Sequence, residues 1–224
     1  MVRSIILLAA ALCAAPAVDA QALTAVNVSA PSINCLFSTT CRVTVSDVAS
    51  PLLGSGFLQS RTYQAQPGSP AAGKWVYEYR VDLSKVTGAA APPQVTSLAI
   101  PFGAWPVAMD FNGDGTATEK AFVVTGGALG TVGPTAVTQY GDTVYVSFAT
   151  PTLNAGQSSY FIGLVSLNAP RAVEARVSTN LAGDVHLNAR GPILGWETPP
   201  AAPAPSRAIA PVRARPGSRP APKP

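Results

Sequence analysis

Residues 75–83 read Trp75-Val76-Tyr77-Glu78-Tyr79-Arg80-Val81-Asp82-Leu83. Trp75, Tyr77, Tyr79, Val81 and Leu83 occupy alternate positions, with Val76, Glu78, Arg80 and Asp82 between them. A helix would scatter the aromatics around its circumference; a strand lines them up on one side. The stretch is therefore read as a half-buried strand, its aromatic side turned inward. On that reading Glu78 and Arg80 lie on a solvated face. They pair only weakly with neighbouring charges such as Arg61.

The same alternation recurs at 42–46, 143–148, 171–178 and 184–190, and further strands are expected at 23–29, 55–64, 96–101, 120–125, 135–140 and 159–167. Turn formers separate them. Gln66-Pro67-Gly68-Ser69-Pro70 with Gly73 reads as a long hairpin loop, and Tyr140-Gly141-Asp142-Thr143 as a tight hairpin. Another loop is marked by Gly126, Gly127, Gly130 and Gly133. No helix longer than a turn or two is expected, and no repeat at a fixed period is visible. About ten short strands with frequent turns predict an all-β fold, an antiparallel β-sandwich of jelly-roll or immunoglobulin-like type.

Outside this body the sequence changes character at both ends. Arg3, the apolar run Ile5–Ala15 and the small residue closing Val18-Asp19-Ala20 have the layout of a secretory signal peptide. That run is too short to span a bilayer, which takes roughly 18 or more apolar residues. The expected organisation is a leader at 1–20, a sandwich at 21–197 and a tail at 198–224, in a chain that is secreted or periplasmic. Nine of the last 27 residues are proline, and most others are alanine or arginine, which predicts a disordered tail. Five basic and no acidic residues follow Glu197, whereas 21–197 holds nine basic and ten acidic. A near-neutral body offers no basic face for nucleic acid. The spaced arginines of the tail suit an anionic envelope polymer or membrane surface, and an inert spacer is the alternative. Cys35 and Cys41 remain once Cys13 is assigned to the leader. In an exported chain such a pair reads as a disulfide, with two buried thiols as the other reading.

The sharpest motif is Asp110-Phe111-Asn112-Gly113-Asp114-Gly115. Oxygen-bearing side chains at the first, third and fifth positions, followed by a glycine, are the opening of a calcium loop. Asp110, Asn112 and Asp114 would hold a Ca²⁺ ion, with the Thr116 carbonyl or Glu119 completing the shell. The twelfth position is Ala121, which cannot supply the bidentate carboxylate of an EF-hand. A metal-free, Asx-rich hairpin turn is the competing reading. The loop resembles the D-x-N-x-D-G loops of dockerins and of FG-GAP-type repeats.

Signals for catalysis are weak. His186 is the only histidine, on the polar side of the last strand, and no G-x-S-x-G elbow accompanies it. One histidine and two cysteines are too few for a zinc site. Tyr63, Trp75, Tyr77 and Tyr79 would either line a carbohydrate platform or pack in the core. The preferred function is a non-enzymatic binding or structural module of the cell envelope or extracellular space, steadied by calcium. The alternative is a secreted glycan hydrolase with a carboxylate pair. A deep acidic cleft would favour the hydrolase, a flat aromatic strip carbohydrate binding, and a featureless surface a structural part.

Four stretches carry a wider resemblance: Gly56-Phe57-Leu58-Gln59-Ser60-Arg61, Tyr77–Leu83, Asp110–Gly115 and Ser158-Ser159-Tyr160-Phe161-Ile162-Gly163-Leu164. Together they look like an uncharacterised family of secreted bacterial β-domains, over most of residues 55–190. The resemblance implies export and an all-β fold, and it brings no activity or catalytic residue with it.

Overall fold

A computed structural model describes residues 20–87, 92–127, 130–181 and 183–194. The leader assigned to 1–20 lies, up to residue 19, outside the described residues, as does the tail assigned to 198–224. The elements in chain order are β1 (Gln21–Ala22), β2 (Ala25–Ser29), α1 (Ala30–Phe37), β3 (Ser46–Leu52), β4 (Gly56–Gln64), β5 (Trp75–Asp82) and β6 (Gln94–Pro101). There follow β7 (Ala121–Gly126), β8 (Ala136–Tyr140), β9 (Thr143–Ser147), β10 (Leu153–Asn154), β11 (Phe161–Ser166), β12 (Pro170–Thr179) and β13 (Asp184–Pro192).

These strands form the expected sandwich. One sheet has the order β1-β8-β9-β6-β12-β13, with β10 also on β6; the other is β2-β7-β11-β5-β4-β3. The strand ladders are antiparallel except for β2 on β7. Those two strands are separated in sequence by most of the second sheet, so a crossover is available and no hairpin is needed. The tight hairpin at Tyr140–Thr143 joins β8 to β9, with Gly141 at φ +59° where a residue with a Cβ would be strained.

Two expectations shift in detail. Residues 42–45 are irregular, and the strand begins at Ser46, pairing with β4 from Ser46↔Thr62 to Leu52↔Gly56. Pro51 disguises it in the sequence, but β3 is an edge strand, where proline is tolerated. The second shift concerns β5. Its inward side is as expected: Tyr77, Tyr79, Val81 and Leu83 are fully buried against Leu98, Ile100, Phe102, Val144 and Val146 of the facing sheet. Its other side is not solvated, for Val76, Glu78, Arg80 and Asp82 are all buried. A third layer lies over part of that side. It is built from α1, the loop after β4 and the segment before β7, through Ile33, Phe37, Ala65, Ala71, Met109 and Phe111.

Tyr77 and Tyr79 are core residues and form no platform; their hydroxyls donate to the carbonyls of Asn168 and Arg190 at 2.7 and 2.6 Å. Tyr63 is buried in the outer cluster, and Trp75 packs half-buried against the inner core.

The outer layer needs close approach at Gly163 on β11, which pairs with Glu78 on one side and Phe122 on the other. A Cβ at that position would collide with the Phe122 ring. Gly163→Ala is therefore expected to destabilise the fold by about 2 kcal/mol, within the usual range for an overpacked core. A urea titration with an unshifted midpoint would contradict this packing.

Candidate functional site

Outer-face residues of β4, β5 and β11 meet at one point. Arg61 pairs across with Glu78, and Phe161 follows on the next strand. The Arg61 guanidinium lies 4.1 Å from the Phe161 ring centroid, and that of Arg80 lies 5.1 Å from the same centroid. Each arginine also has an acidic partner: Arg61 Nε is 3.4 Å from Asp47 Oδ2, and Arg80 Nη2 is 3.2 Å from Asp82 Oδ2. Ser84 donates both its N–H and its hydroxyl to Asp82 Oδ1.

Glu78 has no such cation bonded to it. Its Oε1 accepts a 2.9 Å hydrogen bond from the Tyr63 hydroxyl. Only 6% of the residue is exposed. Burial raises its pKa above the ordinary glutamate value, while the Tyr63 hydrogen bond and the nearby Arg61 charge pull it partly back. Burial likewise pushes the Tyr63 hydroxyl well upward.

Above Glu78, Arg61 and Phe161 opens a pocket of about 330 Å³. Its walls are Ile33 and Asn34 of α1, Val43 and Val45 of the irregular segment, and Val124 of β7. The pocket is concave and mixed in character, with apolar side chains beside Arg61, Glu78 and Asn34, a combination that can hold and orient a small ligand. The Cys35–Cys41 disulfide is formed and ties the end of α1 to the segment that carries Val43 and Val45. On chain-entropy grounds such a short loop contributes about 2 kcal/mol to stability. In the sequence Arg61 and Glu78 have the pattern of surface charges, and nothing local marks the pocket. The available signal was Arg61-x-Tyr63 on one strand facing Glu78 on the next.

The residues assigned to calcium sit apart from this pocket. Asp110 Oδ1 accepts from the N–H groups of Gly113 and Asp114, and Oδ2 accepts from Gly115. Asn112 Oδ1 accepts from the Asp114 N–H, and its Nδ2 donates to Asp114 Oδ2. The Asn112 amide and the Thr116 N–H hold the Asp114 carboxyl below its usual range. Glu119 is buried, accepting from the Phe111 N–H and the Thr118 hydroxyl. Among the described residues no three His, Cys, Asp or Glu side chains gather around a common metal position. Asp110, Asn112 and Asp114 thus close an Asx-type turn with the loop's own amides, and Thr116 and Glu119 take part as partners within that turn.

His186 is exposed, with Nδ1 2.7 Å from Glu174 Oε1 on the paired strand; Arg176 and Asp184 pair beside it at 3.4 Å. Among the described residues no nucleophile is bonded to it. Comparison with family models, with curated proteins and with solved structures finds no match for this chain.

The raised pKa of Glu78 has a consequence for stability. A carboxyl with a higher pKa in the folded state holds a proton that the unfolded chain has lost, so its contribution is full at low pH and declines as pH rises above about 4.5. Glu78→Gln, which keeps an acceptor for Tyr63, is expected to gain stability relative to the parent chain as pH rises from 4 to 8. Parallel denaturant melts across that range would show a constant difference if Glu78 were not involved.

Proposed function

We propose that this chain is an exported, non-enzymatic binding module of the cell envelope or extracellular space, and that the pocket over Glu78 is its recognition site. The observation that carries the reading is Glu78, a carboxyl on a residue only 6% exposed, lining a pocket walled by Ile33, Val43, Val45 and Val124. Burial disfavours the charged form of this carboxyl, and a cationic ligand beside it offsets that cost. The disulfide is compatible with an oxidising compartment. No helix among the described residues is long and apolar enough to cross a membrane.

A glycan hydrolase of the usual kind needs two carboxyl groups flanking its bond. The pocket lining supplies one, Glu78, which favours binding over hydrolysis. A screen of glycans for hydrolysis is expected to give no turnover.

The test of the binding reading is a fragment screen by methyl NMR. Ligands are expected to shift Ile33, Val43 and Val124 together, since these share the pocket wall. Val45→Trp should abolish those shifts with little change in melting temperature, because Val45 stands at the rim and is 37% exposed. Ligands that shift other regions alone, or persist in the variant, would refute the assignment.

Calcium steadying of the 110–116 turn is part of the same proposal. Ion binding would exchange the Asn112–Asp114 contact for coordination by Asp110, Asn112 and Asp114. At ligand concentrations ten- to a hundredfold above Kd the gain is about 1.4–2.7 kcal/mol. A melting temperature several degrees higher in millimolar calcium than in EDTA is expected; an unmoved transition leaves the segment a metal-free turn.

A further inference from the structure

Five charged side chains stand on the outer face of the six-stranded sheet around the pocket: Asp47 on β3, Arg61 on β4, and Glu78, Arg80 and Asp82 on β5. Four of them are matched in two ion pairs, Arg61 with Asp47 and Arg80 with Asp82. Both guanidiniums are also laid against the Phe161 ring. Glu78 is the fifth, and its bonded partner is the neutral Tyr63 hydroxyl. Among the described residues the rest of the lining is uncharged: Ala30, Ile33 and Asn34 of α1, Val124 of β7, and Val43 and Val45 of the irregular segment, whose Arg42 is exposed beside them. With Glu78 ionised, three carboxylates stand against two guanidiniums, which leaves this cluster one negative charge in excess beside the pocket.

From this we infer that the pocket takes a small organic ammonium, an apolar body bearing one protonated amine, with the N–H⁺ donating to the Glu78 carboxylate and the body against Ile33, Val43, Val45 and Val124. The inference rests on the binding reading above and specifies its ligand class. A carboxylate ligand would meet Glu78 as a like charge, because Arg61 is already shared with Asp47. An uncharged alcohol would meet the acceptor but leave the charge unmatched. A charge-assisted hydrogen bond in a dry site is roughly twice as strong as a neutral one. Protonated Glu78 cannot accept the ion pair, so ammonium affinity is expected to fall as pH drops. Burial, the Tyr63 hydrogen bond and the charges of Arg61 and Asp47 set that titration.

The experiment compares three probes of one shape, cyclohexylmethylammonium, cyclohexylmethanol and cyclohexanecarboxylate, by calorimetry and methyl NMR on the oxidised protein. The ammonium is expected to bind at least about tenfold tighter than the alcohol at pH 8. That preference should shrink towards pH 4. It should be lost in Glu78→Gln, whose fold is checked by its melt; the ranking of the three probes on the parent chain needs no variant. An alcohol or carboxylate that binds at Ile33, Val43 and Val124 as tightly as the ammonium would overturn the ligand class and leave the pocket assignment standing. Failure of all three probes and of the fragment screen to move those methyls would overturn both.

Discussion

Burying Glu78, Arg80 and Asp82 on β5 takes three charges out of water, at several kcal/mol each unless they are paired. The outer face is arranged around that cost. Asp82 answers Arg80 and is itself held by both donors of Ser84. Asp47 serves Arg61 and also accepts from Gln59 Nε2 at 2.7 Å. Phe161 lies flat against both guanidiniums, covering their weakly hydrated faces. Such pairing offsets desolvation rather than adding net stability. Glu78 stands outside the two pairs and is bonded instead to the Tyr63 hydroxyl.

The other side of β5 binds the sandwich together. Tyr77 and Tyr79 reach across the core with their rings and end in hydrogen bonds to backbone carbonyls, so neither hydroxyl is stranded. Tyr77 also packs edge-on against Phe102 of the facing sheet. The Tyr79 bond lands on β13, the outermost strand of that sheet. There Ser50 donates to the Asn188 carbonyl, and Ser60 accepts from the Arg190 N–H. An edge strand normally presents a bare row of backbone groups. Here side chains from β3, β4 and β5 satisfy part of that row, closing the two sheets along one margin.

Period-two alternation made most strands legible, including both sides of β5, because a side chain's parity along a strand is fixed by backbone geometry. Parity says which residues share a face and nothing of what covers that face. Glu78 and Arg80 look like solvent residues to any local reading. What surrounds them comes from elsewhere in the chain: Ile33 and Asn34 of α1 beside Glu78, and Thr131, Gln157 and Ser158 beside Arg80. The disulfide was readable because two cysteines in an exported chain have few other uses. Asp110-x-Asn112-x-Asp114 was readable as a tight turn of Asx type. The pocket was not readable, because Ile33, Val43, Glu78 and Val124 meet only in three dimensions.

The place of the pocket follows from the size of the third layer. A six-stranded sheet is about 24 Å across between its outer strands. The eight residues of α1 give a helix about 12 Å long. The helix and the loops beside it can cover the region around Val76, Phe122 and Val165, where Phe37 and Phe111 pack against Phe122. They do not reach the rest of the face. The disulfide turns the chain back immediately after α1, so Val43 and Val45 form a wall beside the helix rather than a further roof. The layer therefore stops at the boundary between the apolar and charged parts of the sheet. Glu78 sits at that boundary, bonded to the covered side through Tyr63 and open on the other. A small ligand with an apolar body and a single donor would continue the layer where the chain ends it.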